Sequence, residues 1–351
     1  MIPKIRQLID RFPDRKIDAF LVTKEVNIRY LTGFPASESW FFVTPKRAYY
    51  ITDFRYVLEA RQGLPAEISI QRYTKSFFDT LFKIAAAQKI RRLGFDERHI
   101  FLSTFKKLKA ACPKDIQLVP ADNLVEELRE RKSAEEIQHV RAALQLHRQA
   151  LGYIRRFIKP GTTEKELLNR LENYVKSRDA LFSFDPIIAS GPNSSYPHAR
   201  VSRRKLRPDE PVLLDMGIDL NGYKSDLTRM FFLGKMPRFF EEIQDAVRRA
   251  QQSAIKKIRA GIPAAFVDSQ ARNYLIQKKL GKFFGHSLGH GVGLEIHESP
   301  SVSFQNPGLL KEGMIITVEP AVYIPNRFGI RLEEMVLVKK EGCEVLSADI
   351  H

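Results

Sequence analysis

Cysteine is scarce: the 351 residues hold two, Cys112 and Cys343. They allow one bridge at most, so a disulfide framework is excluded and a reducing compartment is the simpler reading. Long apolar runs are missing as well. None approaches the ~20 residues needed to span a bilayer. The stretch Met1–Phe20 is broken by Lys4, Arg6, Asp10 and Arg11. It reads as one amphipathic helix and not as an export signal. The expectation is a cytoplasmic protein with no membrane partner. A deficit of apolar residues is not among the absences: 44% of the chain is hydrophobic and 28% charged, too apolar for intrinsic disorder. The length suits two domains, each able to bury a core.

Acidic residues are outnumbered, 41 against 57 Lys and Arg, for a net charge of +16. Such an excess raises nucleic-acid binding as a function class. The positives are scattered, however, over Lys89/Arg91/Arg92, Lys106/Lys107/Lys109, Arg203/Arg204/Lys205/Arg207, Arg248/Arg249 and Lys278/Lys279. Most lie in amphipathic helical patterns and read as solvated faces, so nucleic acid is not the expected partner.

Residues 1–125 alternate short β-like runs (19–23, 40–45, 47–52, 92–96) with helical ones (54–62, 77–90), as an α/β domain does. The charged stretch 126–132 reads as the connection to a second domain, 133–351. That domain opens with a capping box, Ser133 with Glu136. Ile137, Val140, Leu144, Leu151, Ile154 and Ile158 follow at helical spacing until Pro160-Gly161 stops them. An approximate duplication follows. The segment from Ile158 resembles the one from Ile258, with Gly161 matching Gly261 and Asn173-Tyr174 matching Asn273-Tyr274. A folded-back pair of α+β halves would draw ligands from both.

The chemistry gathers after residue 186. "PVLLDMGIDLNGYKSDLTRMFFLG" has a hairpin pattern with an Asn-Gly turn, and Asp215 and Asp226 are expected inside its strands. Asp is depleted in strands and rarely buried without a partner. One such Asp is explained by Arg229 or a turn; two on paired strands call for a cation. "GHSLGHGVGLEIHE" brings His286, His290 and His297 into a glycine-rich segment, which argues against a helix and for close packing around a pocket. Glu319 and Glu333 lie in two further apolar β-like runs. Each Glu alone is explained by a salt bridge to an Arg. Together, Asp215, Asp226, His290, Glu319 and Glu333 make an oxygen-rich set that suits divalent Mn, Fe, Co or Zn.

At these residues the sequence resembles the pita-bread metallopeptidases: methionine aminopeptidase, Xaa-Pro aminopeptidase and Xaa-Pro dipeptidase (prolidase). The order Asp, Asp, His, Glu, Glu, with ten residues between the two Asp, carries the resemblance. "EVNIRYLTGF" and "YYITDFRY" look like the creatinase-type N-terminal domain of the proline-specific members. The resemblance implies a creatinase-like α/β domain followed by an α+β pita-bread catalytic domain with pseudo-twofold duplication. It implies two divalent metal ions, manganese foremost, a proline-containing peptide or dipeptide as substrate, and a homodimer. Asp215 would chelate one ion, Asp226 and Glu333 would bridge both, and His290 and Glu319 would bind the other. His297, Glu319 and His198 would be catalytic. His198, His286, His297 and Arg331 would contact substrate. Tyr223 and Thr228 would orient carboxylates from behind. The N-terminal domain and Arg331 disfavour methionine aminopeptidase, and the full ligand set disfavours metal-free creatinase. Dipeptidase and aminopeptidase both remain open, and the alternative is a catalytically inactive relative that binds protein or nucleic acid through its basic surface.

Overall fold

The β-rich runs of the N-terminal part form a six-stranded mixed sheet. Its order is Ile68–Arg72, Ala48–Thr52, Trp40–Val43, Ala19–Val22, Arg92–Phe95, Gln117–Pro120. Ala19–Val22 is buried along its whole length and pairs antiparallel with Trp40–Val43 and parallel with Arg92–Phe95, which explains its unbroken apolar sequence. The edge strands Ile68–Arg72 and Gln117–Pro120 were not expected. They are short and partly exposed, so their side chains carry little apolar pattern. The expected single helix over Met1–Phe20 is replaced by two short helices, Pro3–Ile9 and Phe12–Arg15, and a strand that begins at Ala19. Pro13, at the start of the second helix, has no N–H to extend the first.

This is a computed structural model in which residues 2–350 are described. The chain divides into two compact units between Arg129 and Glu130. In the second unit, the helix Ala134–Arg155 starts at the Ser133–Glu136 capping box. It ends three residues before Ile158, where N–H groups of Phe157 and Ile158 turn back to the carbonyls of Ile154 and Arg155. Among the described residues no helix is long and apolar enough to cross a membrane.

The duplication is visible in hydrogen bonds. Gly161 N–H donates to Leu206 O and Leu206 N–H to Thr162 O; Gly261 N–H donates to Leu310 O and Leu310 N–H to Ile262 O. Glu164 and Lys165 N–H reach Arg204 and Ser202 O, as Ala264 and Ala265 N–H reach Gly308 and Asn306 O. Each half thus repeats a long helix, a turn and a second helix: Ala134–Arg155 with Glu164–Lys176, and Arg238–Ile255 with Ala264–Gln277. The first pair packs through Leu144, Ile154, Leu167 and Leu171 against Ile188, Val212 and Leu214. The second packs through Val247, Ala250, Val267 and Leu275 against Ile316 and Val336. Two sheets therefore lie under two helix pairs, and the unusual polar residues are on those sheets.

Candidate active site

The five expected ligands cluster where strands end. Asp215 is the last residue but one of Glu210–Met216, and Asp226 immediately precedes Leu227–Leu233. Glu319 follows Ile315–Val318, and Glu333 precedes Glu334–Val338. His290 is the centre of Gly289–Gly291. Only Asp215 and His290 are thus within strands. Asp226, Glu319 and Glu333 were expected inside strands and stand just outside them. Pro320 cannot donate to a ladder and so ends the strand at Glu319. The Asn-Gly turn is as read: Leu220 pairs with Tyr223, and Asn221 and Gly222 both have positive φ, as such a turn requires; the arms of the hairpin, expected to be continuous, break at Gly217 and at Ser225–Asp226. Glycine at 289 is forced by proximity, because a Cβ there would lie 2.0 Å from Thr317 O.

Asp226, His290 and Glu333 each offer a ligand atom, all within 4.8 Å of one another. His290 Nε2 is 3.5 Å from Asp226 Oδ2 and 3.3 Å from Glu319 Oε1. His290 Nδ1 is 3.1 Å from Gly291 O, and an N–H there leaves the Nε2 lone pair facing the carboxylates. Asp215 Oδ2 accepts from Arg331 Nη2 at 2.5 Å, while its Oδ1 is buried without a partner among the described residues. Thr228 Oγ1 donates to Glu333 Oε2 at 2.8 Å and accepts from Arg331 Nε at 2.9 Å.

The electrostatics are those of a site short of positive charge. Burial, then the charges of Glu333 and Asp215, hold the Asp226 carboxyl well above the usual range. Burial, then Glu319 and Asp215, does the same to Glu333. Asp215 is raised by burial despite Arg331. Burial would raise Glu319 too, but its hydrogen bond to His290 and the charges of His290, His286 and Arg331 bring it down. Burial alone would lower His290; the Glu319 carboxylate overrides it and raises the imidazole. Three buried acids and the part-buried Glu319, two of the buried ones favouring a proton, an Asp215 oxygen with no partner among the described residues and an oriented imidazole fit divalent cations.

The remaining expected residues divide. His198, His286, His297 and Arg331 line the same cavity, of about 1530 Å³, as the five. His297 is exposed at the cavity rim with its ring 4.3 Å from that of His290; partial loss of hydration, then the His290 charge, lowers its pKa. His198 is exposed. His286 donates from Nδ1 to Ser287 O at 2.8 Å, and its Nε2 accepts from the Tyr323 hydroxyl at 3.3 Å. Two of the expected residues have well-defined partners. Arg331 is buried, and its guanidinium binds Asp215, Thr228, Tyr323 and Pro197 O. It holds Asp215 and Thr228 in place at the cavity wall. Tyr223 donates to Glu136, the carboxylate of the helix cap, at 2.9 Å.

Sequence reasoning passed over Tyr323, which links Arg331 to His286, and Thr317. Thr317 Oγ1 accepts from His290 N–H at 3.0 Å and donates to Glu319 Oε1 at 3.1 Å. Its signal was present: a Thr two residues before Glu319 in an apolar strand shares the same face. Arg272 and Asp268, an ion pair with the carboxylate buried and the guanidinium half-buried, were missed as well. Arg272 donates to the carbonyls of Phe284 and His286, and Asp268 accepts from Leu288 N–H, fixing the glycine-rich segment.

Comparison with known proteins follows the same division. Residues 138–340 match the model of Metallopeptidase family M24, and residues 4–131 match the Creatinase/Prolidase N-terminal domain. The peptidase YqhT of Bacillus subtilis is 36% identical over 97% of this chain and 96% of its own. A solved Xaa-Pro dipeptidase from Bacillus anthracis superposes with TM-score 0.94 at 36% identity, covering 99% of this chain and 97% of that one. An X-Pro aminopeptidase from Thermotoga maritima superposes with TM-score 0.90 at 33% identity, covering 98% and 97%.

Proposed function

Because the chain belongs to metallopeptidase family M24, with a creatinase/prolidase N-terminal domain ahead of the catalytic one, we propose that it hydrolyses the bond between an N-terminal residue and proline. The observation that carries this reading is the convergence of Asp226, His290 and Glu333 on one point, with Asp215 and Glu319 beside them. The five, Asp215, Asp226, His290, Glu319 and Glu333, would hold two divalent cations. Manganese suits these hard oxygen donors. Such a pair supplies Lewis acidity, lowering the pKa of water and polarising a carbonyl oxygen.

The chain's own groups do the rest. Glu319 accepts a proton from the attacking water and passes it to the proline nitrogen as the C–N bond breaks. His297, kept neutral, donates an N–H to the oxygen on which charge develops. His198 and His286 shape the pocket, and His286 presents a fixed tautomer because Ser287 and Tyr323 occupy both its nitrogens. Arg331 positions Asp215 and Thr228. A bond to proline has no N–H to grip, which calls for a site working on the carbonyl and the leaving nitrogen. The cavity exceeds the roughly 300–1,000 Å³ of small-ligand sites, which supports peptides longer than a dipeptide.

The test is hydrolysis by the Mn²⁺-loaded protein of Xaa-Pro against Xaa-Pro-Yaa-Zaa. Faster cleavage of the longer peptide is expected. Preference for the dipeptide would make the protein a dipeptidase. Failure on both, with salt-sensitive RNA binding, would replace the catalytic reading by a binding one.

A further inference from the structure

One titratable side chain behind the site has no part in the chemistry above. His147, on the helix Ala134–Arg155, is fully buried. Its Nδ1 lies 3.1 Å from Ser225 Oγ, and its Nε2 has no partner among the described residues. An imidazole in such a place loses hydration that a Leu would not miss, so its one polar contact asks for an explanation.

Ser225 is the residue before Asp226, at the break between Tyr223–Lys224 and Leu227–Leu233. Every polar group it has is engaged. Its N–H donates to Ile218 O at 2.9 Å, its Oγ accepts from Ile218 N–H at 3.0 Å, and its carbonyl accepts from Ser183 Oγ at 3.3 Å. The hydroxyl retains one proton, for which His147 Nδ1 is the acceptor. The opposite arrangement, with Nδ1–H donating, would strand both the hydroxyl proton and the Nε2 lone pair. The observed geometry therefore favours the tautomer with hydrogen on Nε2, which strands one group instead of two.

The geometry points to His147 as a positioning residue for the metal centre. By accepting the Ser225 proton it fixes the hydroxyl rotor that ties the strand break to Ile218, and so fixes the backbone from which Asp226 projects. The inference rests on the five-ligand reading above and concerns affinity for the cations, not the chemical step.

The experiment is calorimetric titration of Mn²⁺ alone into the metal-free full chain, with circular dichroism of each variant as the check on folding. His147→Asn puts an acceptor oxygen where Nδ1 stands and should keep the wild-type affinity. His147→Leu and Ser225→Ala should each weaken Mn²⁺ binding about tenfold, the lower end for partners behind a ligand. The double variant should be no weaker than either alone, since both remove the same bond. If His147→Leu does not fold, the contrast between His147→Asn and Ser225→Ala decides. Equal affinity across all variants, or Asn as weak as Leu, overturns the inference. A wild-type chain that binds no Mn²⁺ overturns the functional reading itself, which is a different result.

Discussion

Asp226 is buried in the field of Glu333 and Asp215, and Glu333 in that of Glu319 and Asp215, which makes their removal informative. Asp226→Ala should abolish Mn²⁺ loading and turnover while leaving the metal-free protein at least as resistant to heat as the wild type, because one of two repelling acids has gone. Calorimetry with and without Mn²⁺ checks this; near-normal Xaa-Pro hydrolysis would remove Asp226 from the ligand set. His297→Ala should behave oppositely, keeping metal content and losing ~10²–10³ in kcat, the usual cost of an oxyanion donor. Loss of metal would instead make His297 a ligand. His147 supplies a pH signature. Burial, then the Arg229 charge, lowers its pKa to about 3, so the folded state binds fewer protons than the unfolded state between there and the ordinary 6.5. Stability from this group is present above pH 6.5 and is lost as pH falls toward 3. Urea unfolding of wild type minus His147→Asn should show that slope, and a flat difference would mean the imidazole is charged when folded.

At the scale of elements, the ends of strands and helices decide more than their interiors. Lys132 and Glu298 form an inaccessible ion pair at 2.6 Å, next to His297 and below the helix that starts at Ser133. Lys132→Met strips that carboxylate of its cation and should cost about 3–5 kcal/mol of unfolding free energy. Glu298→Gln added to it should recover a large part, as measured by denaturant titration. The same emphasis explains what could be read beforehand. The Ser133 cap, the Asn221-Gly222 turn and the non-helical glycine segment are local chemistry, legible in a few residues. The exact seats of Asp226, Glu319 and Glu333 were not, because a strand's last residue depends on which neighbour stops donating to it. The short edge strands escaped for a related reason: their register is held by backbone bonds to partners far away in sequence.

At the scale of the molecule, cation binding and stability are linked. A ligand that binds only the folded state stabilises it by about 2.7 kcal/mol at a hundred times its Kd. Chelation should therefore lower the melting temperature and abolish hydrolysis, with both restored by Mn²⁺; activity that survives exhaustive chelation would refute the metal requirement. The duplication was legible as matched Gly161/Gly261 and Asn173-Tyr174/Asn273-Tyr274. Its depth was not, since the paired backbone bonds at Leu206 and Leu310 leave no trace in residue identity. Tyr323 and Thr317 mark the remaining limit: the partners of a hydroxyl are settled by packing, not by motif position. The donors come from strand ends in both halves, Asp215 and Asp226 from one and His290, Glu319 and Glu333 from the other. A chain still emerging from the ribosome consequently has nothing with which to cut its neighbours: the enzyme is disarmed until the second half has closed on the first.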